Sequence, residues 1–121
     1  NEIVKYFESN TFLTQRLIKL VHPLLKKQKG SIAVFISDNT KKTNKKFLGI
    51  HNAIQAANKE IVLSYSEETL RIGPKVLLFE PSPMPTKTRN IMFPGEDKKM
   101  LSSCKDEANK LIKLLIDKIK N

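Results

Sequence analysis

Tryptophan is absent from this 121-residue chain, and cysteine, glycine, tyrosine and arginine are scarce. The single cysteine, Cys104, excludes an internal disulfide and fits a reducing, cytoplasmic compartment. Aromatic residues make up 7% of the chain, so platforms on which nucleobases stack are in short supply. Only Arg16, Arg71 and Arg89 offer the planar guanidinium fork that reads phosphates and base edges. No apolar run is long enough for a membrane span, and no signal peptide is recognisable. His22, His51 and Asp38 do not fall at metal-ligand spacing, so no metal is expected.

What the chain has in excess is lysine. Its net charge is +10, and 19 of the 22 basic residues are Lys. Lys, Asn and Ile are abundant together, which an AT-rich coding sequence produces without any partner. A solvated basic surface is the plainest reading of that charge. A basic nucleic-acid-binding module is the alternative, and Lys41, Lys42, Lys45 and Lys46 would be its patch. At this length one domain is expected, and 40% hydrophobic residues suffice for a core.

Apolar residues recur at helical spacing from Glu2 to Lys27, with Ser9-Asn10-Thr11 as a weak point and Pro23 expected to kink or interrupt the helix. Gly30 ends it. Ser31 to Ser37 is a short β-branched run, read as a strand buried on both faces. A polar, lysine-rich loop covers Asp38 to Lys46, and a second helix covers Gly49 to Leu70. Lys75 to Glu80 reads as another buried strand, stopped by Pro81, Pro83 and Pro85, with irregular structure continuing past Pro94-Gly95. Ser103-Cys104-Lys105-Asp106 resembles a capping box and opens a last helix, which carries Leu111, Leu115 and Ile119. Cys104 sits in that first turn with no base beside it and is read as a small residue, not a nucleophile. The order helix, strand, helix, strand, helix gives an α/β unit with a right-handed crossover.

Two parallel strands do not make a self-sufficient sheet, because each leaves an edge and a face to be covered. The sequence therefore predicts that further strands come from another chain or from an upstream segment, or that the domain is marginally stable. The chain does not begin with Met, which fits an upstream segment.

The run Leu48-Gly49-Ile50-His51-Asn52-Ala53-Ile54-Gln55-Ala56-Ala57 resembles the W-G-x-Y-x-x-S-K-A-A segment of the short-chain dehydrogenase/reductase family. Phe7 to Gln15, leading into Pro23-Leu24-Leu25-Lys26-Lys27, is similar to the family helix that carries an active-site Asn, here Asn10. Gly30 to Asp38 resembles the strand that delivers the catalytic Ser. Pro81-Ser82-Pro83-Met84-Pro85-Thr86-Lys87-Thr88-Arg89 is similar to the P-G-P-M-x-T-x-x-R loop over the nicotinamide, and Phe93 to Asp97 resembles an F-P-G-E-D of one bacterial subgroup. The resemblance implies the C-terminal half of a Rossmann-like fold, a doubly wound parallel sheet, across residues 1–121. It also implies NAD(P) as cofactor, with Pro81 and Thr86 as weak cofactor contacts.

The departures fall on the chemistry. The glycine-rich turn that would seat a diphosphate on a helix N-terminus is absent. His51 stands at the Tyr position, Gln55 at the Lys position, and either Ser37 or, by spacing, Asp38 at the Ser position. In the family, Tyr donates the proton, and the Lys lowers its pKa and holds the cofactor ribose. Gln55 has no charge for either task. Asp38 would put a negative charge where an oxyanion forms. An imidazole at His51 is able to donate a proton, and it is equally an ordinary helix residue. Asn10 is either a surviving site residue or a helix-kink residue bonding the backbone. His22 is read as structural, and Thr86 and Thr88 as cofactor contacts or turn caps.

The expectation is a degenerate, catalytically inactive relative of the family that serves as a structural or interaction module. Its association surface would be the helices around 13–25 and 50–70, facing a protein partner or a second copy. The first alternative is an NAD(P)-dependent oxidoreductase whose cofactor half is missing or separately encoded, with His51 in place of Tyr.

Overall fold

A computed structural model describes residues 1–38 and 46–120. Over these residues the chain is mixed α/β and mostly helical, around a two-stranded parallel sheet. Helix α1 (Glu2–Phe7) runs through a π-helical turn (Glu8–Phe12) into α2 (Leu13–Lys27). Strand β1 (Ile32–Ile36) follows, then α3 (Gly49–Thr69) and strand β2 (Lys75–Phe79). The short helix α4 (Lys87–Met92), a 3-10 turn (Lys98–Met100) and α5 (Cys104–Lys120) complete the order.

The π turn falls on the predicted weak point. Within it Asn10 Nδ2 donates to the Tyr6 carbonyl at 2.8 Å and Ser9 Oγ to the same oxygen at 3.3 Å, side-chain bonds that compete with the regular helical ladder. Pro23, by contrast, does not interrupt α2. A proline there removes the bond to the carbonyl of Lys19, which lies on an exposed part of the helix. Of the kink or interruption expected there, the interruption is corrected.

Strands β1 and β2 pair in register from Ile32 with Lys75 to Ile36 with Phe79. The ladder continues beyond the strands, with Lys75 N donating to Ser31 O at 2.9 Å and Ser37 N to Phe79 O at 3.0 Å. α2 and α3 share one face of this pair. Ile18, Ala33, Val62, Tyr65 and Val76 make the core there, with Leu25, Phe35, Ile61 and Leu78 packed around it. The Tyr65 ring meets Phe35 edge-on and also meets His22, whose Nδ1 lies 3.0 Å from the Tyr65 hydroxyl. His22 thus has a structural role. Burial, helped by Glu68, pushes the Tyr65 phenol up from its ordinary value.

β2 is buried on both faces, as the sequence suggested, with Val76 on one and Phe79 on the other, but β1 is not. Val34 and Ile36 are exposed, because α5 lies along β2 and leaves β1 bare on that side. Much of the apolar surface of α5 (Ile112, Leu114, Ile116, Ile119) is exposed as well. The irregular stretch after Pro85 also needs correction. Thr86 Oγ1 accepts from Arg89 N and caps the six-residue α4 inside it. Ser103 caps α5 where the sequence placed its start, its Oγ accepting from Asp106 N at 3.0 Å and donating to Asp106 Oδ2 at 2.7 Å, one half of a capping box.

Among the described residues no helix is long and apolar enough to cross a membrane.

Candidate functional site

A parallel pair with its crossover helix directs the segments after both strands to one end, where open α/β sheets hold ligands. An open cleft of about 300 Å³ lies there. Ser37 and Asp38 come from the end of β1, His51 and Gln55 from the first turns of α3, Pro81 and Ser82 from the exit of β2, and Thr86, Thr88 and Arg89 from α4 and its entry. Six of the residues singled out in the sequence (Ser37, Asp38, His51, Gln55, Pro81 and Thr86) therefore line one cleft. Asn10 is not among its lining residues; its side chain bonds Tyr6 O and Ser9 Oγ. Lys41, Lys42 and Lys45 lie outside the described residues, and Lys46 is exposed.

His51 and Gln55 are four apart and so share a face of α3. His51 Nε2 lies 3.0 Å from Asp38 Oδ2, with both side chains partly exposed. An ionised carboxylate only accepts, so the imidazole donates from Nε2 in this contact. Gln55 Oε1 accepts from Ser37 Oγ at 3.2 Å and from Asp38 N at 3.3 Å. The glutamine is thus a brace between helix and strand end. Ser37 gives its hydrogen to Gln55 and not to His51, so this is no Ser–His nucleophile pair.

The far wall is built from residues of the two quoted motifs, Pro81 to Arg89 and Phe93 to Asp97, to which the sequence assigned no wall role. Arg89 donates from Nε and Nη2 to the two carboxylate oxygens of Glu96, each at 2.6 Å, and its guanidinium lies 4.7 Å above the Phe93 ring. The hydrogen bond to Glu96 raises the Arg89 pKa, burial opposes it, and the charges of Glu96 and Asp38 add to it. The same bond lowers the Glu96 carboxyl. Opposite charges seven residues apart, around Phe93-Pro94-Gly95, were the available signal.

Behind the cleft, Glu107 fixes the proline segment to α5. It is 3% exposed and accepts from Ser82 N at 3.0 Å, from Ser102 Oγ at 2.7 Å and from the Lys110 ammonium. Lys110 first, then Ser102 and Ser82, hold its carboxyl down at about 2, against a burial that would raise it. Lys59 on α3 reaches both oxygens of Glu80 at 3.0 Å, tying the crossover helix to the exit of β2. Among the described residues no three His, Cys, Asp or Glu side chains gather as a metal ion would require.

Comparison of the chain with protein-family models, with curated proteins and with solved structures gives no match.

Proposed function

We propose that this chain is a structural or interaction module of Rossmann-like ancestry, built like the C-terminal half of a short-chain dehydrogenase/reductase, and not itself a hydride-transfer enzyme. The observation that carries this reading is the balance of its surface. Among the described residues seven apolar side chains are buried, whereas twenty-two large ones are exposed. Soluble monomers rarely leave so much contiguous apolar surface uncovered.

The exposure is organised. Leu13, Leu17, Leu20 and Leu24 recur at spacings of four, three and four along α2, within an arc of about 60° at ~100° per residue. Arg16, Lys19 and Lys27 flank this stripe. The outward face of α3 carries small and acidic residues around one leucine: Ala53, Ala56, Glu60, Leu63 and Glu67 are all exposed. A leucine stripe with cations and a small-residue face with carboxylates complement each other across two copies. Sedimentation equilibrium is expected to show a dimer, and Leu20→Glu to return it to monomer. A wild-type chain that stays monomeric at millimolar concentration sinks the self-association reading.

Loss of hydride chemistry is supported by Gln55. Where the resemblance places a Lys, an uncharged side chain spends its oxygen on Ser37 and Asp38. Calorimetric titration of the folded chain with NADPH and NADH is expected to give no saturable heat.

A second reading, an NAD(P)-dependent oxidoreductase completed by a separate cofactor half, is favoured by the His51–Asp38 contact inside the cleft. Saturable nicotinamide binding would raise it above the first.

A further inference from the structure

Part of the lysine excess gathers at the end of the sheet opposite the cleft. The turns that enter β1 and β2, Gln28 to Ser31 and Ile72 to Lys75, enclose an open cavity of about 400 Å³ there. Lys26, Lys27, Lys29 and Lys75 line it, and among the described residues no Asp or Glu does. Leu25 and the buried Pro74 give it an apolar wall. Gly30 (φ +77°) and Gly73 (φ +61°) turn the chain at its two rims, in the left-handed conformation that glycine adopts without a steric clash. Its volume is that of a small-molecule site.

Lysines are common at helix C-termini, where they offset the partial negative charge of the last carbonyls. Here other groups fill that duty. At the end of α2, Ser31 Oγ donates to Leu25 O at 2.6 Å and Gln28 N to the same oxygen at 3.1 Å. At the end of α3, Gly73 N and Ile72 N donate to Thr69 O at 2.8 and 3.2 Å. At the end of α5, the Lys75 ammonium donates to Lys118 O at 2.9 Å and to Ile119 O at 3.4 Å. Lys75 is thus spent on the fold. Lys26, Lys27 and Lys29 are exposed, and no ion pair among the described residues includes them. A helix end carries about half a negative charge, so three full cations exceed what the ends of α2 and α3 require together. Glu67 and Glu68 stand near the end of α3 but do not line the cavity, and Glu68 acts on Tyr65. Like charges gathered against an apolar wall focus their field and concentrate counter-ions.

We propose that this cavity is a site for an oligophosphate chain, held by Lys26, Lys27 and Lys29. The residue types choose the ligand. Among the described residues the lining has neither an Arg nor an aromatic ring. A carboxylate is best met by the planar fork of Arg, whereas a lysine ammonium is a point charge that suits the oxygens of a phosphate. Without an aromatic ring no base is stacked, and the phosphate chain alone is read. Three cations within four residues match successive phosphates better than a single one. The site shares no residue with the cleft. It is also independent of self-association, because Lys26 faces away from the leucine stripe and Lys29 lies beyond the end of α2.

The test is calorimetric titration of the chain with sodium tripolyphosphate at fixed ionic strength. The expected result is saturable binding, weakened at least about tenfold in Lys26→Gln/Lys29→Gln. Both lysines are exposed, so the fold is kept. Lys5→Gln/Lys105→Gln removes the same charge from exposed positions elsewhere and is expected to bind like the parent. ATP is expected to bind no tighter than tripolyphosphate, and hexaglutamate and oligothymidylate more weakly. The proposal is overturned if tripolyphosphate gives no saturable heat, or if the two double variants lose affinity equally, which would leave net charge as the whole effect. Hexaglutamate binding as tightly as tripolyphosphate overturns the phosphate assignment, and ATP or oligothymidylate binding more tightly overturns it in favour of base recognition. Heat from NADPH or NADH that persists in Lys26→Gln/Lys29→Gln belongs to the cleft, so this test and the nicotinamide test fail separately.

Discussion

The two strands of the sheet are equal in length, yet the more apolar one, β1, is the less buried. β2 is gripped by α3 on one face and α5 on the other, and buries Val76 and Phe79. β1 buries Ala33 against α2 and α3 but presents Val34 and Ile36 to solvent, Ile36 at 68% exposure. Both read as fully buried strands, because a continuous apolar run reports what a strand tolerates on its two faces. What lies on those faces is decided by elements far away in sequence. Here one helix, α5, makes the difference. An exposed isoleucine on a bare strand therefore marks a face awaiting another element more than a weakness of the strand.

The strongest way to sharpen this contrast is to truncate the gripped strand. Phe79→Ala deletes a ring that is 8% exposed and sits at the last rung of the ladder. A loss of about 3–5 kcal/mol is expected from comparable core truncations. In a core of seven residues that is enough to unfold the chain at room temperature, and urea or thermal denaturation followed by circular dichroism reads it directly. A midpoint unchanged within error would mean that β2 is no better held than β1.

The next effect belongs to the segment that continues from β2. Glu107→Gln keeps the shape and the bond to Ser102 but removes the charge that Ser82 N and Lys110 address, at an expected ~1–3 kcal/mol. The pH dependence has a definite sign. The folded carboxyl titrates at about 2, below its ordinary 4.5, so its contribution is complete above 4.5 and disappears as pH falls toward 2. The parent should lose stability across that window, and Glu107→Gln should show a flatter acid limb. Parallel acid limbs would remove Glu107 from the account.

A smaller effect tests the face that both strands share. Tyr65→Phe keeps the ring against Phe35 and His22 but deletes the hydroxyl 3.0 Å from His22 Nδ1. About 1 kcal/mol is expected. A neutral result would mean that the ring stacking alone orders this corner.

Sequence periodicity located every long element to within a residue or two, because the helices are amphipathic and the strands are short apolar runs bounded by Gly and Pro. The Ser103 cap and the weak point at Asn10 were also legible, since each acts through hydrogen bonds within four residues. What was not legible depends on distance in sequence. Pro23 was expected to kink or interrupt the helix, and the helix continues through it. α4 is a six-residue helix closed by a Thr86 cap inside what read as an irregular proline segment. The Glu107 clamp joins residues up to twenty-five apart, and the Arg89–Glu96 pair spans a turn. In the site, the motif positions Ser37, Asp38, His51 and Gln55 were named from the sequence, but their mutual bonds follow from the register of α3 on β1, which no local pattern contains. Pockets and bare faces belong to the same class, as Lys29 and Ile36 illustrate.

Ile36→Thr is expected to have the smallest effect of all and is the most instructive test of the strand comparison. The side chain is largely in water, threonine keeps the β-branch, and the chain alone should change by no more than ~0.5 kcal/mol. The same substitution placed under a covering element would put a hydroxyl on a face that has no partner for it, at ~1–3 kcal/mol. The measurement is the denaturation midpoint of parent and Ile36→Thr at low and at high protein concentration. Equal shifts at both mean that self-association leaves β1 bare and that α2 and α3 carry the contact. A penalty that grows with concentration means that a second copy closes over β1. The difference between the two strands would then be a property of the isolated chain and would vanish in the assembly.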